Sequence, residues 1–136
     1  MGKALGIDYG TKRTGIAITD AMQIIASGLT TVATHSLDAF IADIILKENI
    51  ECFVVGDPKN LDGTNTDSTV HVNSFVKRLQ VLYPTIPVHQ MDERFTTKIA
   101  KQSILTSGIK KKGRQNKELV DEVSATLILQ HYLQYR

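Results

Sequence analysis

Asp8 closes a short apolar run, Lys3-Ala-Leu-Gly-Ile-Asp-Tyr-Gly10, with a glycine two places away on each side. Residues two apart in a strand share a face, so Gly6 and Gly10 clear the space beside the Asp8 carboxylate, where a bulky ligand can approach. Leu5, Ile7 and Tyr9 then point the other way, into a core. The next turn, Gly10-Thr-Lys-Arg-Thr-Gly15, carries two hydroxyls and two cations and leads into a second apolar run, Gly15-Ile-Ala-Ile-Thr-Asp20. A carboxylate and basic residues around a glycine turn suit a metal ion that holds a phosphate. The competing reading is a hairpin whose aspartate bonds only its own turn.

Two further acidic clusters can join Asp8. Met91-Asp-Glu-Arg-Phe95 follows a short apolar run, so Asp92 and Glu93 reach the carboxyl edge of a sheet if that strand runs parallel to the first. Asp121 lies in Lys117-Glu-Leu-Val-Asp-Glu-Val-Ser-Ala125. At roughly 100° per residue, Ser124, Ala125, Ile128 and Tyr132 fall within about 60° of it on a helix, which puts its carboxylate in a packing stripe. Such a group needs a partner or a cation, because its desolvation is costly. Asp121 is therefore a better ligand candidate than Glu122 or Glu118. A capping acid in the first turn of the helix is the competing explanation.

The net charge of +2 hides an asymmetry. Eight of the 16 basic residues, Arg94, Lys98, Lys101, Lys110, Lys111, Lys112, Arg114 and Lys117, fall between 94 and 117 with no Asp or Glu among them. A cationic band beside clustered acids is the footprint of a polyanion held by its backbone. The plainer alternative is a solvated helix face followed by a basic loop.

The elements that must position these groups follow from hydrophobic patterning. Strands are expected near 3–9, 14–19 and 25–33. Ser36 resembles an N-cap for a helix with Leu37, Phe40, Ile41, Ile44 and Ile45 at helical spacing, ending near Asn49. Cys52-Phe-Val-Val-Gly56 reads as a buried strand and Asp57 to Asn65 as a loop at its end. Asp67 can cap a helix carrying Val70, Phe75, Val76, Leu79 and Leu82, stopped by Pro84, before a last strand at Pro87 to Met91. Thr96 or Thr97 starts a helix that Gly108 ends. Ile109 to Gln115 reads as a basic loop, and Asn116 opens a terminal helix reaching about Tyr132. Three meandering strands, then helix, strand, helix, strand and helices, make an α/β fold: a mixed five-stranded sheet with helices on its faces.

Composition bounds the rest. A chain of 136 residues with 42% hydrophobic and 22% charged residues suits one soluble domain, 1–136, with no repeat or linker to divide it. No apolar run approaches the ~20 residues needed to cross a bilayer, and the start lacks a signal-peptide pattern, so a cytoplasmic protein is expected. Cys52, the single cysteine, reads as a buried hydrophobe. With one Cys and four scattered histidines there is no zinc spacing, and no Walker-type Gly-x-x-x-x-Gly-Lys-Ser/Thr occurs. Four Tyr, four Phe and no Trp favour phosphate and shape recognition over a base-stacking platform.

Four segments, Gly6 to Asp20, Val54-Val-Gly-Asp-Pro58 with Asp62-Gly63, Asp92-Glu-Arg-Phe-Thr-Thr97, and Val120-Asp-Glu-Val-Ser-Ala125, occur in order and at suitable spacing. Together they resemble the YqgF/RuvX family of ribosomal-RNA-precursor nucleases, also described as Holliday-junction-resolvase-like, with a ribonuclease H-like fold. One departure is Asp57, where the family usually has an apolar residue; this can alter substrate contacts near the sheet edge. Asp8-Tyr-Gly-Thr11 also resembles the first phosphate loop of actin-like and sugar-kinase ATPases, but those need two lobes and this length supplies one.

The family resemblance implies that Asp8, Glu93 and Asp121 form the acidic centre, with Asp92 the weaker of the adjacent pair. Three carboxylates invite one or two Mg²⁺ or Mn²⁺ ions, whose hard character matches oxygen ligands. Lys12, Arg13 and Arg94 are candidates to hold phosphates nearby, Lys110, Lys111, Lys112 and Arg114 to clamp more distant backbone, and Thr11 and Thr97 to add donors at turns. The expected activity is metal-dependent phosphodiester hydrolysis in structured RNA, in maturation of the 5′ end of the small-subunit ribosomal RNA precursor, with ribosomal particles as a possible setting. The alternatives are an endonuclease on branched DNA and a nucleic-acid-binding protein without turnover. A resolvase should be a dimer, since it places two symmetric cuts, whereas a processing nuclease can act as a monomer or weak homodimer.

Overall fold

The computed structural model describes residues 2–58, 68–92 and 113–135, with the side chains of the last segment described from 119 onward. In chain order the elements are β1 (Lys3–Asp8), β2 (Arg13–Thr19), β3 (Ala26–Ala33), a 3₁₀ turn (Thr34–Ser36), α1 (Leu37–Lys47), β4 (Ile50–Asp57), α2 (Thr69–Leu82), β5 (Val88–Asp92) and α3 (Gly113–Tyr135). The strands form one sheet in the order β3-β2-β1-β4-β5. β1, β2 and β3 are an antiparallel meander, and β4 and β5 run parallel to β1. The expected mixed five-stranded sheet is what the chain forms.

Alternation along the strands divides the core in two. Leu5, Ile7, Ile16, Phe53 and Val55 turn to the face covered by α1, through Leu37, Ile41 and Ile44, and by α2, through Val72, Phe75, Val76 and Leu79. Burial of each of these side chains is worth roughly 1.5–3 kcal/mol relative to exposure. Tyr9 joins this side by stacking on Phe75 with ring centroids 4.6 Å apart. Ala4, Ala17, Cys52 and Val54 turn to the other face, where Ala125, Ile128 and Leu129 of α3 cover them. Small strand residues on this second face let α3 lie close to the sheet.

Several boundaries differ from those the sequence suggests. β4 takes in Asp57, whose place was expected in the following loop, because Asp57 pairs with Asp92 of β5. Ser36 stands at the N-cap of α1 without bonding the helix; its hydroxyl lies 3.2 Å from His35 Nδ1 instead. The N-cap position of α2 falls on Ser68, and Asp67 lies outside the described residues. Val70 and Leu82 are exposed, while Thr69 and Val72 take the inner stripe. The terminal helix begins at Gly113 and ends at Tyr135, so Gly113 to Gln115 are helical where a loop was expected. Arg114 and Gln115 are strong helix formers, which lets the helix extend toward its N-terminus. The helix expected at 96–108 lies outside the described residues.

Candidate active site at the carboxyl edge of the sheet

Asp8 is the last residue of β1 and is half-buried. Its register partner on β2 is Gly15, so the Asp8 side chain shares a face with the side of Gly15 that α3 covers. A Cβ on Gly15 would lie 2.0 Å from the backbone carbonyl oxygen of Asp121 and 3.0 Å from the backbone nitrogen of Glu122. The turn of α3 that carries Asp121 and Glu122 thus rests directly on the strand residue opposite Asp8. Asp8 and Asp121 come to one face, one strand apart.

The gaps left by glycine serve the helix and the turn, which corrects the expectation of an open approach for a ligand. A Cβ at Gly6 would meet Leu129 Cγ at 2.5 Å, and one at Gly10 would meet the Arg13 carbonyl oxygen at 2.3 Å. Gly28 on β3 makes the same provision for the Glu122 side chain. The described signal for the seat of α3 is a glycine on each of the three meander strands. Gly15 and Gly28 were not singled out by sequence reasoning.

Arg13 opens β2 on the same face as Gly15, and its Nε donates to Oδ2 of Asp121. The turn before it is anchored from the opposite face by buried Thr14. Thr14 Oγ1 lies 2.9 Å from Thr34 Oγ1, the Thr34 hydroxyl donates to the Gly10 carbonyl at 2.6 Å, and the Thr34 amide donates to the Lys12 carbonyl at 3.0 Å. Thr11 and Lys12 are left exposed on this braced turn. Thr14 and Thr34 thus act as structural supports of the turn.

Asp57 and Asp92 are register partners at the carboxyl ends of β4 and β5. They share the face of Phe53 and Val88, whose core is that of α1 and α2, opposite to Asp8. His89 and Met91 take the α3 face, His89 stacking on Tyr132 at 5.3 Å and Met91 packing in the smaller core. Asp92 is therefore separated from the Asp8–Asp121 side by the sheet itself. Glu93, Arg94, Thr97, Lys110, Lys111 and Lys112 lie outside the described residues, as does the side chain of Arg114. Among the described residues no three His, Cys, Asp or Glu side chains group closely enough to hold a metal ion.

The stripe expected on α3 is present. Ser124, Ala125 and Ile128 are buried beside Asp121, and Tyr132 packs in the same core. The Ser124 hydroxyl is buried with no hydrogen-bond partner among the described residues. A separate cavity of about 360 Å³ is lined by Gln23, Glu51, Cys52, His89 and Tyr132. Those residues lie toward the amino ends of β4 and β5, the wrong end of the sheet for the acids. Asp20 is also at that end, accepting amide hydrogen bonds from Ile25 and Ile24 at 2.8 Å and Met22 at 3.2 Å. The bonds from Ile25 and Ile24 hold its carboxyl below the ordinary range. Asp20 secures a turn in which Gln23 takes a left-handed φ of 53°.

With this geometry in place, comparison with known proteins is informative. The profile of the family described as "RuvX: Holliday junction resolvase" matches residues 2–135. Proteins named "Putative pre-16S rRNA nuclease" from Flavobacterium johnsoniae and Phocaeicola vulgatus are each 52% identical, over 133 and 134 residues, with 98% of this chain and 96% of each relative covered. Thermus thermophilus RuvC, solved with a Holliday junction substrate, matches with a TM-score of 0.58 at 15% identity, covering 98% of this chain and 96% of that one. The fowlpox virus resolvase, solved with Holliday junction DNA, matches with a TM-score of 0.56 at 10% identity and 97% coverage of both chains. At such identities the likeness is one of fold: a ribonuclease H-like sheet of the resolvase kind. The sequence matches carry the assignment further, and the chain belongs to the RuvX family.

Proposed function

We propose that this protein is a metal-dependent nuclease that hydrolyses phosphodiester bonds in precursor small-subunit ribosomal RNA, with Asp8, Glu93 and Asp121 as its acidic centre. The observation that carries the reading is the packing of the Asp121 turn onto Gly15, the register partner of Asp8, which gathers two carboxylates on one face of the sheet edge. The relatives named for pre-16S rRNA support the substrate class. Asp92 lies across the sheet, so Glu93 is the acid of that pair assigned to the site.

The donor set fits a hard cation. Carboxylate oxygens are the ligands Mg²⁺ and Mn²⁺ prefer, and Asp8 and Asp121 offer them from one face of the sheet edge. When bound, such an ion supplies Lewis-acid charge for the in-line attack of water on a phosphodiester. The chain's own part is placement. Asp8 is fixed by the β1 ladder and Asp121 by the seat of α3 on glycine. Lys12 on the braced turn, with Arg94 and Lys110 to Arg114, neutralises flanking phosphates. The site uses no protein nucleophile.

No helix among the described residues is long and apolar enough to cross a membrane. A cytoplasmic setting on ribosomal particles, as monomer or weak homodimer, accords with the proposed substrate.

A second reading is favoured by the family's own description: cleavage of branched DNA. Labelled precursor ribosomal RNA and a four-way DNA junction, each incubated with Mg²⁺, Mn²⁺ or EDTA, separate the two. RNA cleavage that needs metal and disappears in Asp8→Asn and Glu93→Gln supports the proposal. Cleavage of the junction alone assigns the chain to the resolvases, and tight binding with no cleavage of either makes it a binding protein.

A further inference from the structure

Arg13 touches the proposed acidic centre through Nε, the inner nitrogen of its guanidinium. Its Nε donates to Asp121 Oδ2, and no other side-chain hydrogen bond of Arg13 falls among the described residues. The side chain is 40% exposed against 18% for Asp121, so the carboxylate is the more enclosed partner and the arginine the more accessible one. Its backbone is held at a strand end by pairing with Ala33 and by the Thr14–Thr34–Gly10 bonds behind the turn. A guanidinium presents its donors in a rigid plane, so fixing Nε also fixes the direction of both Nη groups. Two N–H donors in that arrangement match two oxygens of a phosphate.

We infer, on the basis of the nuclease reading above, that Arg13 is a two-ended positioning residue: Nε orients the Asp121 carboxylate for the metal while the Nη pair takes a backbone phosphate of the nucleic acid. One rigid side chain then sets the distance between the metal ligand and the phosphate. Lysine cannot reproduce this, because its ammonium is a single point charge on a flexible stem. Arg13 and Lys12 are adjacent and both cationic, yet they differ in kind. Lys12 is exposed on the turn, whereas Arg13 is paired with Asp121.

The test compares wild type, Arg13→Gln, Arg13→Lys and Asp8→Asn, each first checked for a native circular dichroism spectrum. Calorimetric titration with Mn²⁺ alone reads the inner end. Binding to a short duplex over a range of salt, in EDTA, reads the outer end. Arg13→Gln should weaken Mn²⁺ binding by ~10-fold or more, the loss typical of an outer partner of a metal ligand. It should also reduce the slope of log affinity against log salt by about one phosphate's worth, ~0.9 on B-DNA. Arg13→Lys should keep the salt slope and still lose Mn²⁺ affinity. Unchanged or tighter Mn²⁺ binding in Arg13→Gln overturns the inference, making Arg13 a bystander or a competing counter-ion, and an unchanged salt slope overturns its outer role. If Mn²⁺ binds wild type and is lost in Asp8→Asn while Arg13→Gln binds normally, only the Arg13 role fails. Absence of Mn²⁺ binding to wild type removes both the role and the metal reading.

Discussion

Gly15 lies directly beneath the backbone of Asp121, so close that a methyl group there would sit 2.0 Å from the Asp121 carbonyl oxygen. Backbone oxygen on a helix cannot yield as a flexible side chain tip can, so the helix must move. Gly15→Ala should therefore destabilise the fold by at least the ~1–3 kcal/mol typical of overpacking. It should also displace Asp121 from Asp8 and reduce cleavage further than the loss of stability explains. Urea unfolding gives the first quantity, and activity at a temperature where the variant is fully folded gives the second. A variant as stable and active as wild type would falsify the close seat of α3.

Asp8→Asn separates chemistry from folding. Removing a proposed metal ligand should reduce cleavage by more than the ~10–100-fold that loss of an outer partner costs. Its far-ultraviolet spectrum should stay native, since Asp8 lies at the end of β1 with the β1 core residues Leu5 and Ile7 undisturbed. Ligand linkage gives a further readout. Mn²⁺ at about 100 times its dissociation constant should stabilise wild type by ~2.7 kcal/mol, a rise of roughly 5–10 °C in melting temperature for a domain of this size. Asp8→Asn should show little of that rise. An equal metal-induced shift in both proteins would place the ion elsewhere.

The fold was largely legible because its patterns are local. Alternation marked β1 and β2, spacing of three and four marked α1 at Leu37, Ile41 and Ile44, and Asp121 was placed correctly in a packing stripe. What could not be read was tertiary. Gly6 looks the same in sequence whether its missing side chain admits a ligand or Leu129, and only the path of α3 decides. The pairing of Arg13 with Asp121 spans 108 residues, beyond any local rule. That Asp92 takes the face opposite to Asp8 needed the β4–β5 register, since alternation alone leaves the face open until one partner strand fixes it.

Ser124 offers a test of the interior of the α3 seam. Its hydroxyl is buried without a partner among the described residues. A hydroxyl of this kind carries a desolvation cost that its removal relieves. Ser124→Ala should leave stability unchanged or raise it by up to ~1 kcal/mol, helped by the better helix propensity of alanine. Denaturant midpoints with unchanged m-values are the measurement. A loss of more than ~1 kcal/mol would mean that the hydroxyl holds a buried water or a group from elsewhere in the chain.

Acid stability should depend on Asp20, far from the proposed site. Amide bonds from Ile25, Ile24 and Met22 favour its charged form, so its folded pKa lies below the unfolded one. Its stabilising effect is complete above the unfolded value, where the carboxylate is ionised in both states. As pH falls below that value the unfolded chain takes up the proton first, and the contribution disappears as pH passes through the depressed folded value. Asp20→Asn should lower stability near neutral pH and flatten this part of the acid limb. The turn holding Gln23 at positive φ depends on the same bonds, so the loss should appear as faster amide exchange at Met22, Ile24 and Ile25. Parallel acid-unfolding curves for the two proteins, with equal exchange at those amides, would show that the carboxylate does not hold the turn.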